Sequence, residues 1–231
     1  MSLLEKIGEI VRHDIDPDFI KTFAISMGWG YADLYESLAA EQEDMGEAYC
    51  LEEFARRRGY CAIRNLVAAA KQHGIPFDFR YLPCNGQHKL LVKVGRVILI
   101  QEPILSLDDD PRTSEYKREL AESHGLIRQL ELDLGDRLLK TNEWSGCILG
   151  VILHGAAGPQ FSREHRNLGA LMLAVPDGSY NNWVMRADLL SMAMEGRGLE
   201  TGRANKQDST SQPDKVQVSV KRRNINRENS A

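Results

Sequence analysis

The chain is 231 residues long, carries 29 Lys and Arg against 33 Asp and Glu for a formal net charge of −4, and is 42% hydrophobic and 27% charged. These values suit a folded globular protein with one sizeable core and a small helical appendage, and they exclude a bulk polyanion binder. No apolar run approaches the ~18 residues of a membrane span, and the first residues lack the basic start and long apolar block of a signal peptide, so the expectation is a cytoplasmic protein with no membrane partner.

Leu3, Leu4, Ile7, Ile10 and Val11 recur at helical spacing, and Pro17 stops that helix because proline disfavours the helical region for the residue before it. Asp16 then caps a second helix with Pro17 at its first position, predicted to end at Gly28. Gly28-Trp29-Gly30-Tyr31 reads as a turn with two aromatic anchors expected in the core, as is Trp183. From 32 to 58 the helical pattern resumes too loosely for one stripe, with a break near 43–46, and Gly59 ends it. Residues 61–73 form a short helix closed by Gly74, with Pro76 just beyond. Acid crowds into this region at Asp33, Glu36, Glu41, Glu43, Asp44, Glu47, Glu52 and Glu53, and base follows at Arg56-Arg57-Arg58 and Arg64.

The period then changes to two. Phe77 and Phe79 alternate with Asp78 and Arg80, Leu90, Val92 and Val94 alternate around Leu91 and Lys93, and 97–100 is a continuous apolar run. With turn residues at Pro83-Cys84-Asn85-Gly86 and Val94-Gly95-Arg96, this predicts three antiparallel strands, the last two in a tight hairpin and the last buried on both faces. Asp110 and Pro111 predict a cap and first helical residue for a helix from 112 to about 140. Two apolar strands follow at 147–153 and 168–175, separated by the loop 154–167. Pro176-Asp177-Gly178 is a turn, Trp183-Val184-Met185 extends the strand region, and a last helix covers 188–194. Beyond 196 apolar content collapses, predicting a disordered basic tail at 197–231. The organisation is therefore a helical portion at 1–58, an α+β core at 59–196 on a mixed or mainly antiparallel sheet, and the tail.

The four cysteines, at 50, 61, 84 and 147, show no zinc-knuckle spacing, and Cys84 with His88 lacks a second half-site, so reduced thiols and no resident metal are expected. The loop from His154 lacks the Gly-Lys-Ser/Thr of a phosphate-cradling loop. On element order alone, a helix, three strands, a helix and further strands, the chain resembles the core shared among restriction-endonuclease-like proteins. That resemblance implies a divalent metal held by an acid on one strand and an acid-x-Lys triplet on the next, where the Lys assists the attacking water. The candidate strand reads Ile100-Gln101-Glu102-Pro103-Ile104, with no Lys two residues after the acid. A migrated site would require Asp78, Glu102 and Lys93 to converge within a few ångströms, with Glu52 or Glu53 approaching from the helix. The plainer reading makes Asp78 and Lys93 solvent-side residues of half-exposed strands.

With no intact catalytic constellation, the expected function is a non-enzymatic binding or regulatory protein, without cofactor, acting on nucleic acid or an acidic partner surface. Arg56, Arg57, Arg58 and Arg64 form one candidate contact group, and Arg163, His165 and Arg166 in the 154–167 loop form another, with guanidinium forks suited to phosphates. Lys221, Arg222 and Arg223 of the tail would add salt-sensitive, non-specific affinity. The alternatives are a metal-dependent nuclease with the migrated site, and a structural or assembly protein docking through the acidic stretch 33–53.

Overall fold

The computed structural model describes residues 3–82, 86–106, 109, 111–124 and 147–195. Its elements run α1 (Leu3–Asp14), α2 (Pro17–Ala39), α3 (Gln42–Met45), α4 (Glu47–Gln72), β1 (Phe77–Leu82), β2 (Gln87–Val94), β3 (Val97–Pro103), α5 (Glu115–His124), β4 (Ile148–Ala156), β5 (Leu168–Pro176), β6 (Trp183–Asp188) and α6 (Leu189–Glu195). The fold is α+β, and the six strands lie in sequence order in one mixed sheet. Every neighbouring pair is antiparallel except β3 and β4, which run parallel. A parallel pair needs a crossover connection, and α5 lies within it.

Side-chain alternation divides the sheet into two apolar faces. Val92, Val94, Val97, Leu99, Ile148, Ile152 and Leu173 pack with residues of α1, α2, α4 and α6. Leu91, Ile98, Ile100, Leu149, Val151 and Leu153 form a second cluster with Tyr116 and Leu120 of α5. The run from 97 to 100 is buried throughout, as a strand covered on both sides must be.

Several boundaries differ from the sequence expectation, each for a packing reason. α2 runs straight through Gly28-Trp29-Gly30-Tyr31, where a turn was expected. A Cβ at Gly30 would stand 2.4 Å from Asn65 Nδ2 and 2.6 Å from Cys61 Sγ, so this glycine lets α4 approach α2. Tyr31 is in the core, whereas Trp29 is 70% exposed. α4 likewise continues through Gly59, because burial of Phe54, Cys61, Ala62 and Leu66 offsets the roughly 1 kcal/mol that glycine costs in a helix. The break near 43–46 holds, with Gly46 at φ +83°, so the acidic stretch spans three helices. The stop at Gly74 also holds.

The helix expected from 112 starts at Glu115, since 111–114 is tied elsewhere: Thr113 Oγ1 donates to the Tyr180 carbonyl at 3.2 Å, and the Arg112 carbonyl accepts from Lys117 Nζ. Its predicted continuation to 140, Cys84, and the tail 197–231 with Lys221, Arg222 and Arg223 lie outside the described residues. Among the described residues no helix is long and apolar enough to cross a membrane.

Candidate functional site

At the carboxyl ends of the parallel strands, consecutive residues of β3 point to opposite faces of the sheet. Gln101 faces α2 and α4, Glu102 faces α5, and each anchors a polar cluster.

On the Glu102 side the acid is buried and both its oxygens are engaged. Lys117 Nζ donates to Oε1, and Tyr180 OH donates to Oε2 at 2.9 Å. Lys117 also donates to the Arg112 carbonyl and lies over the Tyr180 ring, 5.4 Å from its centroid. Burial, then the Glu102 charge, push the Tyr180 phenol far above its ordinary range. Half-buried Lys89 lies 5.5 Å from the Tyr116 ring centroid, and burial followed by the nearby Lys117 charge lowers its pKa.

On the Gln101 side, His154 of β4 is fully buried between Tyr31 of α2 and Gln101. Tyr31 OH is 2.6 Å from His154 Nδ1, and His154 Nε2 is 2.8 Å from Gln101 Oε1. Burial, then the Arg58 charge, hold His154 down at about 3. Burial raises Tyr31 well above the ordinary phenol range. The consistent assignment is a neutral imidazole that accepts at Nδ1 from the tyrosine and donates from Nε2 to the glutamine. With both nitrogens occupied and the ring neutral, His154 holds α2 to the sheet and offers no free base.

Two arginines flank this chain of hydrogen bonds. Arg58 enters from α4, where the spacing of Cys50, Phe54, Arg58, Cys61, Ala62 and Leu66 puts it on the helix's buried stripe. Arg166 enters from the β4–β5 loop, donating from Nη2 to the Gly158 carbonyl and lying 5.1 Å from the Phe54 ring centroid. They are 6% and 5% exposed, and the Nε of each is buried with no hydrogen-bond partner. Burial lowers the pKa of both, and the Arg58 charge lowers that of Arg166 further.

The remaining candidates have ordinary surface roles. Arg56 pairs with Glu52 at 3.2 Å and Glu53 at 2.7 Å, and Arg57 with Glu53 at 2.8 Å. Arg64 is exposed. Arg163 reaches Glu36 at 3.3 Å, and His165 Nδ1 accepts from the Gln160 amide at 3.3 Å. Arg58 and Arg166, one from each arginine group, are thus brought into a single cluster.

Asp78, Lys93 and Glu102 share the α5 face by register but do not meet. Lys93 is opposite Ile98, four residues before Glu102, which places it about 13 Å back along β3. Asp78 pairs across to β2 opposite Leu91 and lies 3.7 Å from Arg80. Glu52 and Glu53 stand on α4, across the sheet from Glu102. Among the described residues no cluster of three or more His, Cys, Asp or Glu could hold a metal ion.

Sequence reasoning missed Tyr31, Gln101, Lys117 and Tyr180 as site residues. Arg58 on the apolar stripe of α4 was the available signal for its burial, hidden by reading Gly59 as a helix end. In comparisons with protein-family models, curated proteins and solved structures, nothing matches this chain.

Proposed function

We propose that this chain is a non-enzymatic binding protein whose target is nucleic acid. The observation that carries the reading is the meeting of two arginine groups remote in sequence, Arg58 from α4 and Arg166 from the β4–β5 loop, at one strand end. Outside that buried pair, the outer side of α4 carries Arg57 (also paired with Glu53), Tyr60 and Arg64 at helical spacing, and Tyr60 is 71% exposed. Trp29, itself 70% exposed, and Tyr60 adjoin in sequence Gly30 and Cys61, the residues where α2 and α4 touch. Exposed aromatic planes stack on bases for about 1–3 kcal/mol each, and arginine forks take phosphates. Among the described residues the three cysteines are buried free thiols, which fits a reducing, cytoplasmic setting.

The test is fluorescence anisotropy of end-labelled single- and double-stranded DNA and RNA at two salt concentrations. A salt-sensitive rise that holds with time, weakened in Trp29→Ala and Tyr60→Ala, is the expected result. No rise with any probe would overturn the nucleic-acid reading in favour of an acidic protein surface. A later fall below the starting value in Mn²⁺ would mean strand cleavage and restore the nuclease.

A further inference from the structure

A buried charge persists only with a partner of opposite sign, because desolvation costs several kcal/mol per ion. Lys117 satisfies this rule through Glu102. Arg58 and Arg166 do not: among the described residues neither forms an ion pair with a carboxylate, each has a buried Nε lacking a hydrogen bond, and the Arg58 charge disfavours that of Arg166. Their neighbours are a neutral histidine, a protonated tyrosine, an amide and the Phe54 ring. The carboxylate that Arg58 senses, Asp109, already accepts from the Leu105 and Ser106 amides and stands 3.9 Å from Arg112. Removing two guanidiniums from water beside one another calls for an anion that the described chain does not supply.

We infer that Arg58 and Arg166 together hold a phosphate-type oxyanion, inorganic phosphate or a phosphate monoester, at the carboxyl ends of β3 and β4. The place suits it, since in open α/β sheets ligands enter outside the carboxyl ends of parallel strands. The donors suit it too. Guanidinium forks match the spacing of phosphate oxygens, and a dianion neutralises both charges where a single carboxylate would neutralise one. The bond from Arg166 to the Gly158 carbonyl orients that side chain while leaving its Nε for the ligand. With both nitrogens occupied, His154 braces the site and does not act as a base toward the bound phosphoryl group. The inference goes beyond the nucleic-acid reading and stands without it, since the phosphate can arrive free, in a small ester or at the end of a strand.

The experiment is isothermal titration of the full chain with inorganic phosphate at constant ionic strength, chloride being the balancing anion. Measurable binding is expected, weakened about tenfold or more in Arg58→Met, the effect of losing a charge-assisted hydrogen bond. Arg58→Lys, which keeps the charge and loses the fork, is expected to restore only part of it; should the methionine variant fail to fold, this one and Arg166→Lys carry the comparison.

A second arm compares 5′-phosphorylated with 5′-hydroxyl oligonucleotides. Preference for the phosphorylated end assigns the phosphate to a nucleic-acid terminus, and equal binding alongside a phosphate response assigns it to a small molecule. Tyr60→Ala that loses oligonucleotide and keeps phosphate separates the outer surface from the buried site. No phosphate binding by the parent chain, or equal binding by Arg58→Met and Arg58→Lys, would overturn the inference.

Discussion

Gln101 and Glu102 are neighbours on one strand, yet the clusters they anchor differ in how charge is settled. Behind Glu102, a carboxylate meets Lys117 and the Tyr180 hydroxyl, and the lysine is further held by the Arg112 carbonyl. Behind Gln101, two cations crowd a neutral tyrosine–histidine–glutamine chain with no described carboxylate between them. Both lie at the same sheet end, so depth alone does not explain the difference. The first arrangement is complete within the protein and reads as structure. The second is incomplete without an anion and reads as a binding site.

That contrast can be broken most forcefully at Glu102. Glu102→Gln leaves Lys117 buried without its counter-charge and should cost about 3–5 kcal/mol in urea unfolding. Tyr180→Phe removes only the donor to Oε2, so a loss of about 1–3 kcal/mol is expected; a neutral outcome would mean that water replaces the hydroxyl.

On the other side the prediction concerns pH. His154 has its folded value near 3 against an ordinary 6.5, so the unfolded chain takes up the proton first. Its contribution is fully present above about pH 6.5 and is lost progressively as pH falls toward 3, with a slope of at most about 1.4 kcal/mol per pH unit. Asp14, held far below the usual carboxylate range mainly by its Arg96 hydrogen bonds, adds a loss of the same sign at lower pH. Comparing the parent chain with His154→Gln isolates the histidine part; identical slopes between pH 5 and pH 6.5, where the histidine titrates in the unfolded chain, would contradict the neutral buried imidazole. The smallest stability effect belongs to Trp29→Ala and Tyr60→Ala, within about 0.5 kcal/mol because both side chains are exposed. A larger loss would mark them as packing residues and weaken the case for a contact surface.

Much of this architecture was legible in the residues, for nameable reasons. The switch from period 3.6 to period 2 after Gly74, the positive-φ glycines at 74 and 95, and the two uninterrupted apolar runs specify the β1–β3 meander and the doubly covered centre of the sheet. Gly30 and Gly59 misled because a glycine inside a helix and a glycine at a turn or helix end look alike in a single sequence; the approach of Cys61 and Asn65 explains Gly30, while a Cβ at Gly59 would have only Gln101 Nε2 near it, at 3.9 Å. The basic groups at 56–64 and 163–166 were visible, but their meeting depends on the α4 register and on the β4–β5 loop folding back over Phe54. The Lys117–Glu102 pair was invisible because its lysine comes from α5 and not from the strand triplet.

The most direct test sets Arg58→Met beside Glu102→Gln in urea unfolding, in buffer free of phosphate and other multivalent anions. If Arg58 is a buried cation without an internal counter-charge, Arg58→Met will match or exceed the parent chain in stability while Glu102→Gln falls well below it. If both variants lose several kcal/mol, as the breaking of a buried pair does, then Arg58 is already neutralised within the protein, and the distinction between a closed face and an anion-binding face fails.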